Sequence, residues 1–172
     1  MTAFWTLIDM AGLATLDRGP RPGIADAATI RRLLAVTVRG LTEERRDAAL
    51  ALALLWHDQF DDAHQLCQAH EGHPECDFVH ALLHRREGDF ANAKYWFGKV
   101  GAHPLDLALA QVAQALGRAD LLDRGRWRPV AMVDACAAAL RSDQVTRTLV
   151  MQLQAAEFRA LSEHLSGHMD AH

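Results

Sequence analysis

Two stretches of this chain align without a gap at an offset of 30 residues: LALLWHDQFDDAHQLC (52–67) and LLHRREGDFANAKYWF (82–97). Phe60 matches Phe90, Ala63 matches Ala93, Cys67 matches Phe97 and Asp58 matches Gly88. Each stretch reads as two amphipathic helices joined by a tight turn. The aromatic two residues past the turn pins it. The alanine three further on lets the two helices approach closely. A hairpin of this kind cannot bury its apolar face alone, so neighbouring helices must stack on it.

The rest of the chain supplies such neighbours. Half of its residues are hydrophobic and Tyr95 is the sole tyrosine. Alanine and leucine dominate, which favours helix over sheet. Asp26 and Thr42 read as N-caps, and Gly40 as the residue that ends the helix between them. Pro129 suits the first turn of a helix through VAMVDACAAAL, and Ser142 or Asp143 caps a last helix over about 144–165. The expected fold is all-α, about eight helices in one domain over residues 1–172. An N-terminal helix and linker fill 1–23, two antiparallel hairpins fill 52–100, and 166–172 form a frayed tail. No strand pair is expected. A chain of 172 residues fits one domain and can bury about 70% of its unfolded surface.

The hairpin pattern resembles the tetratricopeptide repeat, with a period somewhat below the usual ~34 residues. GRWRPVAMVDAC (125–136) reads as a degenerate third copy with Trp127 as its turn aromatic. A second resemblance is more specific. WHD at 56–58, HxxxHRREGDxxNAKYWF at 80–97 and VGxHP at 100–104 are similar to an uncharacterised family of bacterial and fungal helical proteins. The VDAC segment and a last helix carrying Gln152, Gln154 and Glu157 extend that likeness. It implies a helical fold and a locus, and it implies no activity.

Several function classes start with little support. The net charge is −4 and no basic stripe with interleaved aromatics occurs, which argues against nucleic acid as a partner. No apolar run reaches ~18 residues, so no membrane span is expected. Three cysteines, Cys67, Cys76 and Cys136, suit a reducing cytoplasm better than a disulfide framework. No GxSxG, phosphate-binding loop or GxGxxG motif is present. The apolar N-terminal segment could pack internally or across a homodimer.

The polar residues around the second hairpin are the candidate site. A bland reading covers some of them: Arg85 and Arg86 favour a helix C-terminus, Gly88 ends that helix, and Asp89 with Asn92 imitates a capping box. His80 and His84 resist it. They stand at i and i+4 on one helix face, opposite the inward Leu50 and Leu54 of the first hairpin, and Glu87 follows at i+7. Buried histidines need polar partners. One reading is a groove for a protein or a small anionic ligand. It is lined by His57, Asp58 and His64 from the first hairpin, and by His80, His84, Arg85, Glu87, Lys94 and Trp96 from the second. The alternative is a metal-dependent enzyme. There His80 and His84 would ligate a transition metal, with His57, Asp58 or Glu87 as third ligand. Glu87 or Asp58 would act as base, and Arg85 or Lys94 would hold an anion. A weaker zinc pattern runs through Cys67, His70, His73 and Cys76.

Overall fold

The computed structural model describes Phe4 and residues 11–19 and 21–167. Most of the expected N-terminal helix, and the tail beyond residue 167, lie outside the described residues. The helices run in chain order as α1 (Ala27–Thr37), α2 (Glu43–Trp56), α3 (Phe60–Ala69), α4 (Pro74–Glu87), α5 (Phe90–Val100), α6 (Asp106–Ala115), α7 (Pro129–Ala139) and α8 (Gln144–Leu165). The fold is all-α.

Side-chain caps set many of the starts. Asp26 accepts from the Thr29 N–H, Thr42 from Arg45, Asp89 from Asn92 and Asp143 from Thr146. Each satisfies an N–H that has no partner inside its helix. Pro74 and Pro129 occupy the first turns of α4 and α7, where a missing N–H is harmless. Gly40 lies past the end of α1 in the left-handed region at φ 86°, with Val38 as the cap itself.

The two hairpins keep their sequence correspondence. Asp58 and Gly88, matched at the turns, both have left-handed backbones, at φ 62° and 83°. Glycine takes that conformation freely, whereas aspartate needs compensation. Asp58 receives it from Arg86 at 2.6 Å and Arg21 at 3.3 Å. Ala63 and Ala93 are both fully buried, so α2 meets α3, and α4 meets α5, at short range.

Helix α4 is the axis of the molecule. It packs against α2, α3 and α5, and every residue from Glu75 to Arg86 is buried. A helix buried all round loses its amphipathic pattern. The long α8 crosses α2, α6 and α7, and Phe158 meets Trp56 edge-on at 5.1 Å between ring centroids.

Two expectations are corrected. A short antiparallel pair exists, β1 (Leu122–Asp123) with β2 (Arg126–Trp127), closed by Arg124 and Gly125 in left-handed conformations. Trp127 therefore ends a strand and begins no third hairpin. Arg85 and Arg86 do not decorate an exposed helix end, because both are fully buried. Arg85 grips Glu157 of α8 through two bonds, at 3.1 and 2.5 Å. Arg86 donates to the carbonyls of Leu55 and Thr15, the latter at 2.9 Å, besides pairing with Asp58. Gln154 donates to the carbonyls of Ala14 and Thr15, at 3.1 and 3.0 Å. Burial pushes the Glu157 carboxyl up and Arg85 opposes this. The two arginines thus tie α4 to α8, to the first hairpin turn and to the segment at residues 14–17.

Candidate metal centre

Three histidines converge between α3, α4 and α5. His80 and His84 share one face of α4 because they are four residues apart. The two rings stack at 4.7 Å between centroids. His64 comes from α3 and meets both edge-on, at 4.8 Å from His80 and 5.4 Å from His84. Trp96 of α5 covers the other face of His80 at 4.1 Å. One ring nitrogen from each of His64, His80 and His84 lies within 4.8 Å of the others. His80 and His84 are buried and His64 is half-buried.

The electrostatics keep lone pairs available. Burial first, then His84, His64 and Lys99, pulls His80 down to about 3, so its ring is neutral at physiological pH. Burial also lowers His84, against the pull of Glu87. The Nδ1 of His84 lies 3.2 Å from Glu87 Oε2, and its Nε2 lies 3.2 Å from the side-chain nitrogen of Asn92. A carboxylate only accepts and an NH₂ group only donates, which puts the single proton on Nδ1. His84 is thus oriented by a carboxylate through the nitrogen that faces away from Asn92, as metal-binding histidines usually are. His80 differs: both of its ring nitrogens are buried and have no hydrogen-bond partner. Buried polar atoms are almost always satisfied, and leaving one unsatisfied costs about 1–3 kcal/mol.

The other anticipated residues are placed as follows. Trp96 belongs to the cluster and Glu87 supports it from outside, where Arg18 also holds it at 3.2 Å. His57 does not supply the third nitrogen. It ends α2 and turns towards α1, where its Nδ1 accepts from the Ala25 N–H at 3.1 Å. His64 takes that place. Asp58 is committed to Arg86 and Arg21, and Arg85 is sealed against Glu157, so neither faces an open groove. Lys94 points away to Asp134 of α7, 2.6 Å distant. The Cys67–His70–His73–Cys76 pattern does not assemble. His70 binds Asp47 at 2.9 Å, His73 lies 3.0 Å from Glu75, and Cys76 Sγ donates to the Glu44 carbonyl at 3.5 Å. Burial raises the Cys67 thiol and pushes Cys76 up to about 12 and Cys136 to about 11, which leaves no thiolate nucleophile at neutral pH.

Asn92 escaped the sequence reading as a site residue. Its spacing from Trp96, i and i+4 on α5, was the signal that both meet the histidine face.

Comparison with family models, with curated proteins and with solved structures gives no match, so the site is read from its own geometry.

Proposed function

We propose that this protein binds a transition-metal ion through His64, His80 and His84, with its helical hairpins as the scaffold. The observation that carries this reading is His80, an imidazole enclosed in the fold with neither nitrogen bonded. Packing alone gives no reason to keep such a group, since an apolar ring of similar size would fill the space without unmet polar atoms. A metal ion gives the reason.

The chemistry of the donors is consistent with it. Neutral imidazoles suit Zn, Cu, Fe and Ni, and they disfavour Mg and Ca, which take oxygen ligands. Imidazole–zinc bonds of about 2.0–2.1 Å place tetrahedral donors about 3.3 Å apart. The three nitrogens, within 4.8 Å of one another, must draw together to reach that spacing, and half-buried His64 is the least enclosed of the three. Three histidines leave a fourth position on a tetrahedral ion, to be filled by water or by a further donor. The Glu87–His84 bond fixes the tautomer and raises the basicity of that ligand.

This reading replaces the broad groove, because Arg85, Asp58, His57 and Lys94 are engaged elsewhere. The experiment is a calorimetric titration of chelator-treated protein with Zn(II). One equivalent should bind, and binding should be lost in His80→Ala and His84→Ala yet kept in His57→Ala. Equal binding by all four proteins would sink the assignment.

A further inference from the structure

One side chain at this site has no structural duty to explain it. Asn92 sits in the first turn of α5, where its backbone N–H donates to Asp89 Oδ1 at 3.1 Å. That cap uses the backbone alone and makes no demand on the amide. The amide makes a single hydrogen bond, from Nδ2 to His84 Nε2 at 3.2 Å. It therefore points at the lone pair that His84 would offer a metal, and Trp96, one turn further along α5, packs on His80 from the same side.

An asparagine amide has a donor end and an acceptor end, exchanged by a half-turn about its terminal torsion. With no other hydrogen bond to hold it, that turn is free. It puts the carbonyl oxygen where the nitrogen stands, 3.2 Å from Nε2. Two donors on one tetrahedral ion with bonds of about 2.0–2.1 Å stand about 3.3 Å apart. The distance thus matches a ligand pair, with the amide swinging off the Nε2 lone-pair axis as the ion takes that place. The present contact, nitrogen to nitrogen, is the orientation suited to the metal-free site, where the NH₂ group occupies the lone pair.

We propose that Asn92 is the fourth protein ligand, its amide carbonyl completing the His64, His80 and His84 set when a metal enters. This rests on the metal reading of those three histidines. It adds a specific consequence. All four donors are neutral, so the ion keeps its full double charge in a largely enclosed site. A mixed imidazole and amide-oxygen set suits late first-row divalent ions such as Zn, Co and Ni. Glu87 remains outside, on the far nitrogen of His84.

The test uses Co(II), whose visible bands report its ligand number and type, on the full chain and two variants. Asn92→Ala should bind Co(II) more weakly by about tenfold or more, with shifted bands as water replaces the amide. Asn92→Asp should bind more tightly than the parent by about tenfold, because an anionic oxygen now faces the ion. Helix content by circular dichroism checks that both variants fold, and the tolerance of aspartate in a first helical turn protects the second. If Asn92→Ala matches the parent in affinity and spectrum, Asn92 is no ligand while the histidine site stands. A folded Asn92→Asp that gains nothing has the same meaning. If the parent takes up no Co(II), the histidine reading falls and this proposal falls with it.

Discussion

Helix α4 carries a histidine cluster at each end, and the two are built on opposite principles. Near its start, Glu75 stands at the centre. His164 Nε2 bonds its Oε1 at 3.0 Å, His73 Nδ1 lies 3.0 Å from Oε2, and Arg45 lies at 3.7 Å. The bond from His164 is the chief reason that the Glu75 carboxyl is held down at about 2. His103 packs beside His164 at 5.4 Å, and its Nδ1 accepts from the Leu105 N–H at 3.3 Å, which leaves the proton on Nε2. Glu75, His103 and His164 also bring one ligand atom each within 4.8 Å of one another, but there the carboxylate itself already binds the His164 ring. Towards the other end of α4, no acid of the described residues stands among His64, His80 and His84. Glu87 touches them from outside, on Nδ1 of His84. Three histidines about a carboxylate make a fastener, here between α4 and α8. Three histidines with no carboxylate at their centre leave a ring nitrogen of each within 4.8 Å of the others, an arrangement a cation would satisfy.

That contrast can be broken in four ways. Removing the centre of the fastener should be the most damaging: Glu75→Ala should lower unfolding free energy by about 3 kcal/mol in urea denaturation, since it strands buried donors. The corresponding gain at the other cluster comes from metal. Free Zn(II) at 100 times its Kd should add about 2.7 kcal/mol, and His80→Phe should show none of it. Acid separates the clusters further. The folded-state value of His80, about 3, lies below its usual 6.5, so between these pH values the unfolded chain holds one more proton. Stability should therefore fall with pH across that window by about 1.4 kcal/mol per pH unit from this residue, a slope that His80→Phe removes. His103, lowered chiefly by burial to about 4, adds a similar slope that the variant retains. Glu75 acts later: its contribution is complete above about 4.5 and is lost as pH falls through about 2. The smallest effect has the opposite sign. In metal-free protein at neutral pH, His80→Phe should raise stability by about 1 kcal/mol, because it removes polar atoms that nothing satisfies. A loss there would show that His80 is held for packing.

Helix positions were legible in the sequence wherever the signal was local. The caps at Asp26, Thr42, Asp89 and Asp143 act over three residues; the first three stand where the sequence put them, and Asp143 is one of the two residues it offered for the last. The i, i+4 relation of His80 and His84 needed only the helical period. What stayed hidden depends on distant chain. Arg85 finds Glu157 across 72 residues and Arg86 finds Thr15 across 71, so the pair read as helix-end cations until the fold closed over them. The sequence pointed to His57, Asp58 or Glu87 as the third ligand and placed His64 only in the wider groove. The left-handed turn at Asp58 decides for His64, because it sends the chain back so that α3, not the end of α2, lies against the histidine face of α4. The strand pair at 122–127 is too short for any alternation of apolar and polar residues to declare it.

The central claim is that an ion belongs among His64, His80 and His84. The most direct measurement is elemental mass spectrometry on protein purified without an affinity tag or metal column, beside His80→Phe treated alike. The account predicts close to one equivalent of a transition metal in the parent and none in the variant. A parent free of metal that also takes up none on dialysis against Zn(II), Ni(II) or Co(II) would contradict it.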